Sequence, residues 1–216
     1  LNILCDNKNS WFWDTSENFL QQLSDKGHEV NLCTSETDIE NADVSVFISC
    51  MKIVSQNGLE KSNSNIVCHP SDLPKGRGFS PIAWELLNDS NEIIFTLFEA
   101  DENVDNGKIY KKESLKLNGT ELNNEIKNLR AKRTFSMILD YIDSYPENDS
   151  YEQLGDPTYF PRRTNLDSEL DIDKSIRSQF NLFRVVDNKN YPAFFMYKSK
   201  KYILKYEDNF LIDNMY

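Results

Sequence analysis

Histidine is scarce in this chain, with two residues in 216, and the four cysteines contain no Cys-x-x-Cys pair. These shortages exclude the common zinc patterns, which need several cysteine or histidine ligands at short spacing, and we expect no metal. The sequence also lacks an apolar run long enough to cross a bilayer, so no membrane partner is expected. Since no charged-then-apolar leader is recognised, we expect a cytoplasmic protein whose cysteines are buried, reduced thiols.

Positive charge is also in short supply. The chain has 24 basic and 35 acidic side chains, which gives a net charge of −11. Nucleic-acid binding depends on clustered lysine and arginine that neutralise phosphates. A local basic patch exists at Lys198, Lys200, Lys201 and Lys205, but the overall field would repel tRNA or DNA. The composition therefore favours a small-molecule partner and no nucleic acid.

Short apolar runs in the first half alternate with loops and with one amphipathic segment. They predict four strands, at residues 2–5, 28–33, 43–49 and 65–68. Residues 16–26 carry apolar side chains at helical spacing, and Gly27 follows as a helix stop. Strands and a helix in this order predict an α/β fold with a mostly parallel, doubly wound sheet. Ligands bind such sheets beyond the carboxyl ends of the strands.

The second half predicts a fifth strand at residues 93–99 and a helix near residues 122–142, with Thr120 as its N-cap. A short helix is expected at residues 175–183, and a β-hairpin at residues 193–197 and 201–205. Residues 146–164 have three prolines and little periodicity, which is typical of a linker. We therefore predict a main domain at 1–145, a linker at 146–164 and a small C-terminal subdomain at 165–216.

His69 and Asp105 are the chemically informative residues. His69 opens a loop rich in proline and glycine directly after an apolar run, and Asp105 lies in a second tight turn. An imidazole can accept a proton or polarise a carbonyl group, and a carboxylate can fix its tautomer. The pair predicts a site for imidazole–carboxylate chemistry on a small substrate.

Other interpretations of His69 are weaker. Cys68 is its neighbour on a predicted strand and should face the opposite side, so a Cys–His nucleophile pair is not expected. A metal site is also poorly supported, because His28 is the other histidine and has no partner spacing. A histidine that only caps its loop remains an alternative from the residues alone.

The flanking motifs resemble the folate-dependent formyltransferases. They are His-Pro-Ser-x-Leu-Pro-x-x-x-Gly from His69, Ser80-Pro81-x-x-Trp84, and Val-Asp-x-Gly-x-Ile from Val104. The resemblance covers residues 51–110 most strongly and implies a Rossmann-like catalytic domain. It also implies 10-formyltetrahydrofolate as the formyl donor and an amine as the acceptor.

The resemblance assigns roles to individual residues. His69 would act as a base toward the amine or stabilise the oxyanion, and Asp105 would orient His69 and a water molecule. The folate pocket would be formed by Met51, Lys52, Ile53 and Val54, and by Ala100, Asp101 and Val104 in the turn that meets the pterin ring. One departure is evident, because the family places an asparagine two residues before the histidine, where this chain has Val67. Asn65, on the same strand face, is the candidate to replace it.

The wording of the loop at 71–81 is most similar to sugar N-formyltransferases of surface-glycan biosynthesis. Those enzymes formylate nucleotide-linked amino-dideoxy sugars, and a pseudaminic-acid-type pathway is the nearest suggestion. On this interpretation Trp11 and Phe12 stack on the substrate, or else form a hydrophobic plug. Ser80, Lys75, Gly76 and Arg77 bind substrate, with the last three near a diphosphate unless the loop is simply solvated.

Two other functions stay open at this point. One is a non-catalytic nucleotide-sugar or folate binder on the same fold, which the valine at position 67 encourages. The other is a different folate-dependent formyltransferase, acting on methionyl-tRNA or glycinamide ribonucleotide. A homodimer is also open, with the Phe194-Phe195 hairpin and the helical face near Met137 as its surface.

Overall fold

A six-stranded sheet forms the centre of the computed structural model, which describes residues 1–206. In chain order the strands are β1 (Asn2–Leu4), β2 (Asn31–Cys33), β3 (Ala42–Phe47), β4 (Ser62–His69), β5 (Arg77–Gly78), β6 (Glu92–Glu99), β7 (Ile109–Lys116), β8 (Tyr159–Phe160), β9 (Ala193–Tyr197) and β10 (Lys200–Leu204). The central sheet has the order β2-β1-β3-β4-β6-β7. Its first four strands are parallel, whereas β6 and β7 are antiparallel to their neighbours. The expected mostly parallel α/β sheet is confirmed.

Helices cover both faces of this sheet. They are α1 (Trp11–Thr15), α2 (Glu17–Asp25), α3 (Gln56–Leu59), α4 (Pro81–Leu87), α5 (Asn123–Ser144) and α6 (Phe180–Val185). Side chains alternate along each strand, so Ile3 joins the large core under α5 while Leu4 joins a smaller core beside α3. On the α5 side, Phe19 stacks on Phe135 with ring centroids 4.4 Å apart. Both sheet faces are therefore buried, as a doubly wound fold requires.

Three details differ from the sequence-based expectation. Helix α5 begins at Asn123 with Leu122 as its N-cap, so the prediction of Thr120 is wrong. The Glu125 carboxylate accepts the backbone N–H of Leu122 at 2.9 Å and stabilises this start. Strand β7 was not expected, because its polar edge-strand sequence lacks a clear apolar alternation. The helix predicted at 175–183 begins later, at Phe180.

The C-terminal part of the chain packs into the same core as the sheet. Leu170, Leu182, Val185 and Val186 belong to the large core cluster. The hairpin of β9 and β10 forms as expected. Residues 207–216 of the predicted subdomain lie outside the described residues, and the division at 145 and 164 stays a prediction.

Two of the residues suggested for a dimer surface are buried. Met137 is fully buried in the core, and Phe194 is also buried. Other side chains of the same hairpin, among them Met196, Tyr202 and Ile203, are exposed. A homodimer stays a prediction without an assigned interface. Within residues 1–206, no helix combines the length and the apolar character that a bilayer-spanning segment needs.

Candidate functional site

One cavity of about 530 Å³ lies at the carboxyl ends of the parallel strands. The loops that follow β1, β3, β4 and β6 supply its walls, together with α5 and the segment around Arg162 and Arg163. A parallel sheet places these loops at one edge, so residues distant in sequence meet there. His69 and Asp105 both line this cavity.

The His69 ring is held by a backbone carbonyl. His69 is the last residue of β4, is buried, and has its Nε2 atom 2.9 Å from the Gly76 oxygen. A carbonyl oxygen can only accept a hydrogen bond, so the hydrogen of the neutral ring is assigned to Nε2. The Nδ1 atom is then the acceptor of the ring. The loop turns back through Gly76 to make this contact, and a Cβ there would lie 2.7 Å from the Phe160 ring.

Asp105 contributes charge rather than a direct hydrogen bond to the ring. Its Oδ2 atom lies 3.8 Å from His69 Nε2 and accepts the backbone N–H of Gly78 at 2.8 Å. The backbone of Asp105 is left-handed, with φ of 50°, which is uncommon for a residue other than glycine. The carboxylate is thus fixed beside the ring, whereas Gly76 rather than Asp105 determines the tautomer.

Gln153 holds the Asp105 turn in this conformation. Its Nε2 atom donates to the backbone oxygens of Asp105 and Gly107, both at 2.9 Å. Its Oε1 atom accepts from Arg77 at 2.7 Å. Gln153 lies in the segment that the sequence describes as a linker, and no motif in the sequence pointed to it.

The residues expected to form the folate pocket come together. Met51, Lys52, Ile53, Val54, Ala100, Asp101 and Val104 all line the cavity. Asp6 fixes the first of these loops, because its carboxylate accepts the backbone N–H groups of Met51 and Lys52 at 2.7 and 3.2 Å. Met51, Ile53 and Val104 remain 41%, 57% and 42% exposed, so this half of the cavity offers apolar surface to a ligand.

Asn65 does not join them. It lies on the strand face of His69, but four residues along a strand span about 13 Å. Its Nδ2 atom donates to the Leu59 oxygen at 3.0 Å, and it does not line the cavity of His69. Val67, two residues closer, lines the cavity instead. The sequence pattern placed Asn65 on the correct face of β4 but did not show how far it lies from His69 at the end of the strand.

The substrate candidates are only partly placed at the cavity. Trp11 and Ser80 line it. Phe12 is fully buried in the core against Phe135, which corrects its assignment to the substrate. Trp11 and Phe12 are adjacent on a helix, where neighbours point in different directions.

The three loop residues expected near a diphosphate are also absent from the cavity lining. Lys75 is exposed, Arg77 is buried and bound to Gln153, and Gly76 contributes its carbonyl to His69. The pairing of β5 with β8 turns this part of the loop toward the segment at 159–160. Their assignment to the diphosphate is therefore not supported by their positions.

Two arginines on helices supply charge that the sequence did not reveal. Arg130 on α5 and Arg184 on α6 line the cavity. Arg162 and Arg163, outside the helices, line it as well, and Arg162 donates to the Met51 sulfur at 3.6 Å. Arg130 occupies a position in a long charged helix whose period gives no hint of a ligand. Only the packing of α5 over the strand ends identifies it.

Cys68 packs on the sheet face beneath α5, opposite to that of His69, as expected, although it also lines the cavity. Its sulfur lies 4.0 Å from the Met137 sulfur beneath α5. Burial raises the pKa of the Cys68 thiol to about 12, so it stays protonated at neutral pH. This state does not suit a nucleophile. Among the described residues, no group of three metal-ligating side chains is found.

Comparison with known proteins places the chain in a family. The model of a family described as formyl transferase matches residues 13–140. A GDP-perosamine N-formyltransferase of Brucella melitensis is 29% identical over 120 residues, which cover 52% of this chain and 46% of that protein. This chain thus spans about half the length of that relative.

Two solved structures share the fold. A methionyl-tRNA formyltransferase from Clostridium thermocellum has a TM-score of 0.77 and 23% identity, with 93% of this chain and 90% of that chain covered. HypX from Aquifex aeolicus in complex with tetrahydrofolic acid has a TM-score of 0.71 and 14% identity, with 93% and 36% covered. The cavity described above therefore lies in a fold that these proteins also have.

Proposed function

This chain belongs to the formyl transferase family, and on that premise we propose that it moves the formyl group of 10-formyltetrahydrofolate to the amine of a nucleotide-linked amino-dideoxy sugar. The observation that carries the proposal is the position of His69 and Asp105 in one cavity that is also lined by apolar loops and by arginines. Such sugars serve surface-glycan biosynthesis, and a pseudaminic-acid-type sugar is one candidate.

The chemistry of the acceptor is suggested by the relative named GDP-perosamine N-formyltransferase. Perosamine is an amino sugar carried on a nucleotide, and that combination needs both a cation for phosphate and a base for the amine. Lys52 and Arg130 provide positive charge along the cavity, and His69 provides a base. The chain carries a net charge of −11, which opposes binding of a tRNA acceptor.

The residues present fit a folate donor. The flat, apolar pterin ring suits the exposed side chains of Met51, Ile53 and Val104, and the backbone of residues 100–104 offers hydrogen-bonding groups. When bound, the donor would supply an activated formyl carbon. The contribution of the chain on this side is to bind the donor, orient it and exclude water.

His69 moves the proton in the proposed reaction. The amine loses one proton when its nitrogen bonds to the formyl carbon, and the nitrogen that leaves the formyl group gains one. The Nδ1 atom of His69 accepts the first proton and returns it to the leaving nitrogen, so the ring is unchanged after each cycle. Gly76 keeps the opposite nitrogen protonated, and this keeps Nδ1 available.

Asp105 stabilises the ring while it carries the extra proton. A carboxylate 3.8 Å from Nε2 lowers the energy of the imidazolium form, which exists only between the two proton transfers. Its own hydrogen bond from Gly78 prevents it from moving toward solvent. No covalent intermediate with the chain is needed, because positioning and electrostatics suffice.

A non-catalytic binder is the second candidate, and Val67 is the observation that favours it. Val67 lines the cavity where the resemblance expects an amide donor. A chain that binds folate and nucleotide sugar without that donor would hold both ligands and transfer nothing.

A turnover assay with several acceptors separates these functions. The chain is incubated with 10-formyltetrahydrofolate and with GDP-, UDP- or dTDP-linked amino sugars, glycinamide ribonucleotide or methionyl-tRNA. Release of tetrahydrofolate is followed by absorbance, and the formylated product by mass spectrometry. We expect turnover with a nucleotide-linked amino sugar. Formylation of methionyl-tRNA alone would contradict the sugar acceptor, and folate binding without any turnover would establish the binder.

A further inference from the structure

The basic side chains around the cavity differ in their partners. Arg184 pairs with the Glu121 carboxylate at 3.2 Å, and Lys127 pairs with Asp187 at 2.8 Å. Arg163 donates to the Val185 oxygen at 2.7 Å and to the Ser168 hydroxyl at 3.2 Å. These three groups are therefore neutralised or hydrogen-bonded by the chain itself.

Arg130 has no such partner within the described residues. Its buried Nε atom has no hydrogen-bond acceptor, and no carboxylate lies within ion-pair distance of its guanidinium. The guanidinium carbon Cζ of Arg130 lies 4.7 Å from the ring centroid of Trp11. The Nε1 atom of Trp11 is also buried without a hydrogen-bond partner. Burial lowers the pKa of Arg130 to about 10, so the group remains a cation at neutral pH. The Arg130 side chain is only partly buried overall. A partly desolvated cation without an anionic partner is unfavourable, and an anionic ligand would remove that penalty.

The space beside Arg130 can hold more than a small ion. Arg130 and Trp11 both line the cavity that contains His69. A second, polar cavity of about 620 Å³ adjoins it and shares Trp11, Asn123 and Lys127 as a common wall. Its lining contains amides and lysines together with the carboxylates of Asp14 and Asp187, and it is therefore polar, as the remainder of a polar acceptor requires. An acceptor could thus extend from His69 past Arg130 into this second cavity.

We propose that Arg130, stacked on Trp11, binds the diphosphate of the nucleotide-linked acceptor. This inference rests on the proposed function and replaces Lys75 and Arg77, which do not line the cavity. A guanidinium presents paired N–H donors that match two phosphate oxygens, and the Trp11 ring fixes its plane. Among the described residues no carboxylate lies within ion-pair distance of Arg130, so its guanidinium is available to phosphate oxygens.

Inorganic pyrophosphate is a direct probe of this site. Binding is measured by isothermal titration calorimetry on the full chain and on the variants Arg130→Gln and Arg130→Lys. We expect Arg130→Gln to weaken pyrophosphate binding at least tenfold, and Arg130→Lys to lie between it and the unchanged chain, since a lysine keeps the charge and loses the paired donors. Arg133→Gln is the matched control, because Arg133 lies on the same helix and pairs with Glu113 outside the cavity. It should change the affinity less than twofold.

The melting temperature and the tetrahydrofolate affinity of each variant are measured in parallel. Removing an unpaired cation should leave the melting temperature equal or higher, so a loss of binding in Arg130→Gln cannot be assigned to unfolding. Tetrahydrofolate affinity should stay within threefold. Absence of pyrophosphate binding in the unchanged chain, or equal binding in Arg130→Gln, would overturn the proposal. So would weakened tetrahydrofolate binding with pyrophosphate unaffected, because the cation would then serve the folate carboxylates.

The outcome is separable from that of the proposed function. If no acceptor is formylated but pyrophosphate binding depends on Arg130, the diphosphate site stands and formyl transfer to a sugar fails. If an amino sugar is formylated and Arg130→Gln changes neither pyrophosphate binding nor the KM of the acceptor, the function stands and this site fails.

Discussion

At the scale of single residues, the chemistry of the cavity depends on which nitrogen of His69 is free. The Gly76 carbonyl oxygen is hydrogen-bonded to Nε2 at 2.9 Å, and the Asp105 carboxylate lies 3.8 Å from the same atom. Both contacts involve Nε2, so in the proposed reaction Nδ1 is the base. The sequence predicted the histidine and the aspartate but not the carbonyl, because a backbone contact across a loop leaves no signature in residue type.

Replacement of His69 by alanine should abolish most of the turnover. General acid–base groups contribute about 10²–10⁴-fold to rate, and a loss of kcat in that range is expected for His69→Ala. Tetrahydrofolate affinity should change little, because the apolar loops bind the donor. Cys68→Ala is the control, since Cys68 precedes His69 but packs toward Met137. Steady-state kinetics and calorimetric titration give both readouts, and full activity of folded His69→Ala would rule out the proton role.

Val67 offers the test of the missing amide. It lines the cavity on the face of His69 and packs beside Leu73 and Phe98. Val67→Asn should raise kcat about tenfold or more by adding a donor for the formyl oxygen, since one such donor is worth about 10²–10³ where it is optimal. It should also lower the free energy of unfolding by about 1–3 kcal/mol, because a polar group enters an apolar contact.

The matched variant is Asn65→Ala, which removes the amide bonded to Leu59. We expect it to leave kcat within twofold and to lower stability. If instead Asn65→Ala reduces kcat strongly and Val67→Asn has no effect, then Asn65 polarises the formyl group and the cavity must reach it in the bound state.

At the scale of elements, the strands were more predictable than the loops that they carry. The alternation along β4 correctly placed Cys68 and His69 on opposite faces, because that pattern is local. It could not show that Asn65 stops about 13 Å short of His69, nor that β5 pairs with β8. Trp11, which stacks on Arg130, and the hydrogen-bond partners of Gln153 are far away in sequence from these residues. A single sequence contains no signal for such contacts.

The segment at 146–164 supports the turn that carries Asp105, through the hydrogen bonds of Gln153 to the Asp105 and Gly107 oxygens. Gln153→Ala removes two hydrogen bonds to the turn and the acceptor of Arg77. We expect kcat to fall about tenfold with a smaller change in KM for the donor, because Asp105 would lose its fixed place. Stability should fall by about 1–3 kcal/mol from the lost hydrogen bonds.

Two further variants show whether position is the cause. Gln153→Glu keeps an acceptor for Arg77 but cannot donate to the backbone of Asp105, so it should reduce kcat as Gln153→Ala does while retaining more stability. Glu152 immediately precedes Gln153 and forms an exposed ion pair with Lys108. Glu152→Ala removes this ion pair and should change neither kcat nor stability. Unchanged kcat in folded Gln153→Ala would mean that the turn needs no support.

At the scale of the whole molecule, the sheet and the C-terminal segment share one core. Arg184 of α6 is fully buried and donates to Asn91 at 2.7 Å and to Glu121 at 3.2 Å, just before α5. The sequence suggested a boundary at the prolines of 146–164, because composition shifts there. Burial of Leu182 and Val185 among the residues of the sheet could not be read from composition.

Unfolding should therefore occur as one transition in which the C-terminal segment takes part. In differential scanning calorimetry we expect a single peak whose calorimetric and van't Hoff enthalpies agree. Arg184→Ala should shift that whole peak downward, with a loss of about 3–5 kcal/mol, because it leaves the Glu121 carboxylate buried without its cation. Arg177→Ala, at an exposed arginine of the same segment, should change stability by less than about 0.5 kcal/mol. Two peaks, of which only the smaller responds to Arg184→Ala, would instead establish 165–206 as a separate folding unit. A single shifted peak would mean that Arg184, which lines the cavity from α6, also stabilises the whole fold.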